Sequence, residues 1–134
     1  MIVVSNTTTQ TIQPGQAITF DRVILHSGCA EQHRGGSSSV TLRRVGVYEA
    51  HFTGNIATAT AATPVQLAVQ IDGDTLQETT MIQTPSAAEA FANVSAATIV
   101  RNCDCGNNRI TVVNTGTAPV VLAPNSGLFL KRVA

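Results

Sequence analysis

The residues best suited to chemistry in this sequence are its three cysteines and three histidines. Cys29 lies between two of the histidines in a His26-x-x-Cys29-x-x-x-His33 pattern, and Cys103-x-Cys105 follows much later in the chain. Thiolate sulfur and imidazole nitrogen are ligands that zinc prefers in proteins. If the fold brings the two segments together, these five residues can form a zinc site.

The cysteines admit two other states. A disulfide can join Cys29 to Cys103 or Cys105, or it can join two subunits, whereas a bridge between Cys103 and Cys105 is strained because one residue separates them. Free thiols are the third state, and synthesis in a reducing cytoplasm favours them. We rank free thiols above a disulfide and a disulfide above a metal site, since Cys-x-Cys alone is a poor chelating pair.

No other pattern amounts to a catalytic site. His51 shares a predicted strand face with Val47 and Glu49, which favours a paired, solvated or interface histidine over a general base. Residues 37–39 (SSS) follow two glycines, but the Gly-x-Ser-x-Gly motif of a nucleophilic serine is absent. We therefore expect no enzyme activity, no catalytic residue and no cofactor. The alternative is a small metal-dependent hydrolase that uses the histidine and cysteine groups.

Composition and charge limit the range of partners. The length of 134 residues predicts one domain spanning residues 1–134. Hydrophobic residues make up 43% of the chain and charged residues only 12%, with a formal net charge of zero. Because Arg43, Arg44, Arg101 and Arg109 are scattered along the chain, we expect no phosphate groove and no nucleic-acid partner. Low charge opposes self-association only weakly, so the composition fits a chain that packs against its own copies, with a soluble monomer as the alternative.

The first residues carry no targeting pattern. Residues 1–4 (MIVV) lack the basic start and the long apolar run of a signal peptide, and no segment has the length of a transmembrane helix. We therefore expect synthesis in a cytoplasm, no membrane partner, and release only by lysis or particle assembly. Residues 1–15 are expected to form an N-terminal attachment or edge segment.

One stretch organises the rest of the chain, residues 45–53 (VGVYEAHFT). Gly46 allows a backbone conformation that other residues resist, and apolar residues then alternate with a period of two. On a strand, Tyr48, Ala50 and Phe52 point to one side and the residues between them point to the other. The first of these faces is suited to a core.

A hairpin is predicted further along. Residues 65–71 (VQLAVQI) alternate apolar and polar side chains, and Asp72-Gly73 is a strong two-residue turn signal before a return strand at 74–82. The turn explains Asp72 fully, and no calcium-loop pattern surrounds Asp74. Eight to ten short strands separated by turn signals can be read from the whole sequence. This pattern predicts an all-β jelly-roll sandwich of two antiparallel sheets.

Four segments, in this order and spacing, resemble the jelly roll shared by tumour necrosis factor and the globular head of the first complement component. They are residues 46–50 (GVYEA), 65–73 (VQLAVQIDG), 110–114 (ITVVN) and 127–134 (GLFLKRVA). The resemblance is closest to bacterial spore-surface and phage relatives, such as the C-terminal head of collagen-like spore-surface glycoproteins. This chain contains no collagen-like stalk.

The resemblance implies a homotrimer in which one sheet of each subunit packs around a threefold axis. On the same basis, the residues expected at the trimer interface are Tyr48, Ala50, Phe52, Leu128 and Leu130. A head without a stalk suits a structural or binding module on a particle surface. We expect a bacteriophage virion protein of head-decoration or fibre type, located in the virion. The alternative is a spore or cell-surface layer protein, located on the spore surface.

Overall fold

The computed structural model describes residues 1–60, 63–102 and 108–134, which form two antiparallel β-sheets packed face to face around one core. We name the larger sheet A and the smaller sheet B. The strands in the described residues are β1 (Ile2–Ser5), β2 (Gln10–Ile12), β3 (Arg22–His26), β4 (Glu31–His33), β5 (Val40–Leu42), β6 (Gly46–Ala57), β7 (Val65–Ile71), β8 (Asp74–Thr75), β9 (Met81–Gln83), β10 (Ala92–Asn102), β11 (Asn108–Asn114), β12 (Val120–Leu122) and β13 (Gly127–Arg132).

The strand order confirms the predicted sandwich. Sheet A has the order β2-β12-β6-β13-β1-β3, and β10 pairs with the other edge of β6. Sheet B has the order β4-β5-β11-β7-β8, and β9 also pairs with β7. Helical structure in the described ranges is limited to the 3-10 helix Gln77–Thr79, and no helix there combines the length and hydropathy of a membrane span.

Strand β6 is the central element of sheet A, with 12 residues. Strand β10 runs beside it from Gly46 to Ile56, while β13 and then β12 lie along its other edge. Gly46 has a φ of +154°, and a Cβ atom there would lie 2.5 Å from the carbonyl oxygen of Ala134 and 2.5 Å from Nε of Arg132. The prediction that a long strand begins at a required glycine is confirmed.

The inward faces of the two sheets form the apolar core. Successive side chains of a strand point to opposite faces, and Tyr48, Ala50 and Phe52 all point inward. Leu128 pairs with Phe52 and Leu130 with Ala50, so both leucines share that face. All five side chains are 0 to 1% exposed in the single chain. This placement corrects the expectation that they form the trimer interface, because they pack against the opposite sheet and have no surface left for a second chain.

The hairpin predicted at Asp72-Gly73 is present. The two residues have φ values of +50° and +87°, as a two-residue type I′ turn requires, and β8 returns beside β7. The return strand is interrupted by the 3-10 helix, so the middle of β7 lacks a strand partner on that side. The buried hydroxyl of Thr79 replaces it, since it accepts a hydrogen bond from the N–H of Val69 at 2.9 Å and donates one to the carbonyl of Leu76 at 2.6 Å.

The N-terminal residues are part of sheet A. Strand β1 lies between β13 and β3 and pairs with both. Strand β2 lies at the edge of the sheet, where it pairs with β12. The expected edge segment within residues 1–15 therefore corresponds to β2, whereas β1 is an interior strand.

Candidate functional site

His33, one of the predicted zinc ligands, is engaged by the backbone on both sides of its ring. Its Nδ1 atom lies 2.9 Å from the carbonyl oxygen of Ser39, and its Nε2 atom lies 2.8 Å from the carbonyl oxygen of Phe20. Both ring nitrogens of His33 are thus occupied by backbone carbonyl oxygens, so neither is directed toward a metal ion. The side chain serves instead to hold two loops together.

Two of the other predicted ligands, His26 and Cys29, have separate contacts. His26 contacts the carbonyl oxygen of Glu31 through Nε2 at 2.8 Å, and Cys29 is exposed with its Sγ atom 2.9 Å from Nη2 of Arg44. Within the described residues, no group of three or more histidine, cysteine or acidic side chains is close enough to hold a metal ion. His26, Cys29 and His33 thus do not assemble into the expected ligand set. Cys103 and Cys105 lie outside the described residues, so a disulfide to Cys29 stays a prediction.

The outer face of sheet A is the best candidate for a functional surface. The register of five neighbouring strands aligns one outward side chain from each of them in a row across the sheet. We call this set the cross-strand row, and in spatial order it consists of Leu25, Val3, Phe129, His51 and Ala97. Four of its members are apolar, although the row faces away from the core.

A shallow depression lies beside the middle of the row, with a volume of about 470 Å³. Its lining includes the small residues Gly127, Ser95 and Ala97 and the rings of Phe129 and His51. The rings of Phe129 and His51 meet edge to face, with centroids 5.4 Å apart. The depression is therefore a preformed apolar recess into which a side chain of a second molecule can insert.

Both lateral strands of sheet A carry further exposed apolar side chains. On β10, Ile99 is 64% exposed, and on β3, Leu25 is 44% exposed with Val23 and Ile24 beside it. Ile99 lies opposite Glu49 of β6, and Glu49 lies opposite Lys131 of β13. These two charged residues lie between Ile99 and the strands β1 and β3. The sheet thus presents an exposed apolar patch at each lateral strand, one on the β3 side and one on the β10 side, at the two ends of the cross-strand row.

The sequence contained part of this information. Alternation along residues 128–133 puts Phe129 on the face opposite to Leu128 and Leu130, and alternation in β6 puts His51 opposite to Phe52. The sequence-based interface was nevertheless placed on the inward residues. Leu25, Val3 and Ala97 could not be added to the outward face without the strand order, because their strands are distant in the chain.

Comparison with known proteins identifies the fold. No protein-family model and no curated protein sequence matches the chain. Solved structures do match: the globular domain of zebrafish complement 1qA protein has a TM-score of 0.75 at 12% identity, over 99% of this chain and 96% of that one. Murine APRIL at pH 5.0 has a TM-score of 0.71 at 16% identity, over 98% of both chains. The chain has the TNF/C1q-like jelly-roll fold.

Two further structures extend the comparison. Eiger TNF from S. frugiperda matches with a TM-score of 0.72 at 14% identity, over 99% of this chain and 91% of that one. The PRD1 vertex protein P5, from a phage, matches with a TM-score of 0.53 at 11% identity, over 99% of this chain and 97% of that one. The predicted fold and its resemblance to tumour necrosis factor and the complement head are confirmed, and the resemblance to spore-surface proteins stays a prediction.

Proposed function

We propose that the chain is a non-enzymatic structural or binding module that assembles into a homotrimer through the outer face of sheet A. The observation that carries this proposal is the cross-strand row, an apolar strip on a face that the single chain leaves uncovered. Burying one leucine, isoleucine or phenylalanine side chain contributes about 1.5–3 kcal/mol. Several such side chains from each subunit supply enough apolar surface to hold copies together.

The two patches of sheet A are compatible with a closed ring, which joins a patch on one subunit to a different patch on the next. In the proposed trimer, the β3 side of one chain, with Leu25, packs against the β10 side of its neighbour, with Ile99. This arrangement uses both lateral strands of every subunit.

A particle surface is the proposed location, first of all a bacteriophage virion, where the trimer would act as a head-decoration or fibre protein. The likeness in fold to the PRD1 vertex protein P5 supports this choice. A spore or cell-surface layer protein with the same fold is the alternative. Immunogold labelling of intact particles distinguishes the two, because gold on spores and none on virions would contradict the phage assignment.

Light scattering coupled to size exclusion tests the trimer. The wild-type protein should elute with a mass near three chains, with and without reductant. Ile99→Asp should reduce the mass to one chain while circular dichroism stays unchanged, because this side chain is exposed in the single chain. The matched control is Ile82→Asp, which changes an isoleucine that is 61% exposed on sheet B and should leave the trimer intact.

Other results would contradict the proposal. A monomeric wild-type protein would remove the trimer altogether, and equal loss of mass in the Ile82→Asp control would show that sheet A is not the interface. Zinc found in stoichiometric amount by metal analysis of the purified protein would support the alternative of a metal-dependent hydrolase.

A further inference from the structure

The fold brings two pairs of basic residues that are distant in the sequence to one end of the molecule. Arg43 and Arg44 line a cavity of about 500 Å³ at one end of the sandwich, together with His26, Cys29 and Gln32. We call this cavity the basic pocket. A neighbouring cavity shares Arg44 and Cys29 with it and is lined in addition by Lys131 and Arg132. Four of the eight lysine and arginine residues therefore meet at this end of the molecule.

Buried groups fix the backbone that carries the two arginines. The carbonyl oxygen of Arg44 accepts a hydrogen bond from the Tyr48 hydroxyl at 2.7 Å and from Nδ2 of Asn102 at 2.9 Å. The N–H of Arg43 donates to the carbonyl of Ala30 at 2.7 Å. Tyr48 and Asn102 are fully buried. The turn is consequently held from inside the core, which leaves the guanidinium groups directed at the pocket.

Toward the described residues, the two guanidinium groups use only part of their hydrogen-bond donors. Each carries five N–H groups, and in the structure Arg43 donates to Oε1 of Gln32 while Arg44 donates to Sγ of Cys29. Neither of these two partners is a carboxylate. In the part of the chain that the structure describes, the Met1 amine pairs with Glu31 and His51 lies near Glu49. No ion pair there includes an arginine or lysine side chain.

Among the described residues, Glu31 is the one acidic side chain that lines the pocket, and it is already compensated. The Glu31 carboxylate is fully buried, and its two oxygens lie 2.6 Å and 3.0 Å from the amine of Met1. Its charge is therefore balanced by a group other than the arginines. Ala134 lines the neighbouring cavity together with Arg44, Lys131 and Arg132.

We propose that the basic pocket is an oxyanion site, in which Arg43 and Arg44 bind a phosphate or carboxylate group of a partner molecule. The planar guanidinium fork matches two oxygens of such a group, and a charge-assisted hydrogen bond is stronger than a neutral one. His26 and the side-chain amide of Gln32 supply further polar contacts at the pocket wall. Arg43 and Arg44 lie in the loop before β6 and not in the cross-strand row, so anion binding is tested separately from the trimer.

A titration followed by amide NMR tests the proposal. Inorganic phosphate and, separately, acetate are added to the labelled protein at constant ionic strength, which removes general screening effects. Phosphate or acetate should cause saturable shifts at the amides of Gly28, Cys29, Gln32, Arg43 and Arg44. Saturation by only one of the two anions identifies the group that the pocket recognises.

Two variants make the test specific. Arg44→Gln should weaken binding about tenfold, and because Tyr48 and Asn102 hold the carbonyl of Arg44 rather than its side chain, the turn should keep its structure. Arg22→Gln is the matched control, since Arg22 is exposed at the opposite end of β3 from His26, and it should leave the affinity unchanged. The proposal is overturned if neither anion gives saturable shifts, if the shifts spread over the whole surface, or if Arg22→Gln weakens binding as much as Arg44→Gln.

Discussion

Single residues with exceptional surroundings are where this fold is most sensitive. Gly46 combines a positive φ with backbone and side-chain atoms 2.5 Å from the place of a Cβ atom. A side chain at this position would collide with those atoms unless the strand moved. In addition, residues other than glycine rarely adopt this φ angle. The start of β6 therefore depends on one residue.

Gly46→Ala should reduce the free energy of unfolding by about 2 kcal/mol or more. Urea denaturation followed by circular dichroism measures this change. Gly35→Ala is the matched control, because a Cβ atom there meets no atom within 4 Å and the residue has no positive φ. A destabilisation of the same size in both variants would show that loss of glycine flexibility, and not the local collision, is responsible.

Tyr48 is the only tyrosine of the chain and lies in the core, so its ionisation can be followed by absorbance without interference from other tyrosines. Burial raises the pKa of its hydroxyl above the ordinary value of 10.0. As pH rises past about 10, the unfolded chain loses this proton first. The stability that the neutral tyrosine contributes is therefore complete below that pH and is lost as pH rises through the pKa of the folded protein.

The phenolate absorbance should accordingly appear at a higher pH in the native protein than in urea-unfolded protein. Tyr48→Phe should remove the tyrosine-dependent part of the fall in stability at alkaline pH and destabilise the protein by about 1 kcal/mol at neutral pH, since the hydrogen bond to Arg44 is lost. Coincident titration curves for native and unfolded protein would contradict the burial of this hydroxyl.

At the scale of elements, the interrupted return strand shows how a side chain can take the place of a ladder. The 3-10 helix between β8 and β9 removes strand pairing from the middle of β7, and the Thr79 hydroxyl satisfies the N–H of Val69 instead. A buried backbone donor without a partner is strongly unfavourable. The hydroxyl is therefore part of the sheet.

Thr79→Val keeps the shape of the side chain and removes the hydroxyl, so the free energy of unfolding should fall by about 1–3 kcal/mol. Thr80→Val is the matched control, because its hydroxyl bonds to the carbonyl of Gln77 at the surface. Thermal unfolding of both variants gives the comparison. Equal effects would mean that the hydroxyl of Thr79 does not support β7.

At the scale of the whole molecule, the two patches on sheet A predict a specific mixing result for the proposed trimer. Leu25→Asp damages the β3 side of each chain, and Ile99→Asp damages the β10 side. Either variant alone should be monomeric, because every interface of a homotrimer needs one patch of each kind. In a mixture, the intact β10 side of the Leu25→Asp chain can pack against the intact β3 side of the Ile99→Asp chain. This permits one interface between the two variants.

Light scattering of the equimolar mixture should therefore show a mass near two chains. A mixture that stays monomeric while the wild-type protein is trimeric would rule out the pairing of the β3 side with the β10 side. Leu25→Asp and Ile99→Asp also serve as folding controls for one another, since both change side chains that are exposed in the single chain.

The basic pocket is likewise a product of the whole fold. Arg43, Arg44, Arg101 and Arg109 are spread along the sequence, and this spacing by itself predicts no phosphate groove. The sandwich brings the loop before β6 and the end of β13 to the same end of the molecule. The expectation that no phosphate group binds therefore has to be tested at this pocket.

The sequence by itself determined the all-β architecture, the hairpin at Asp72-Gly73, the strand that begins at Gly46, and the inward face of Tyr48, Ala50 and Phe52. These features depend on period-two alternation and on turn chemistry, which act between residues that are close in the chain. The same alternation indicated that this face was suited to a core, and the structure confirms it.

Only the tertiary structure decided which surfaces remain for partners. An apolar strand face looks the same in a sequence whether it packs against the other sheet or against a second subunit, so Leu128 and Leu130 were assigned to the interface although the core contains them. The outward row from Leu25 to Ala97 and the convergence of the arginines arise from pairing between strands that are far apart in the chain. Such pairing is fixed by packing of the complete sandwich, which no local pattern records.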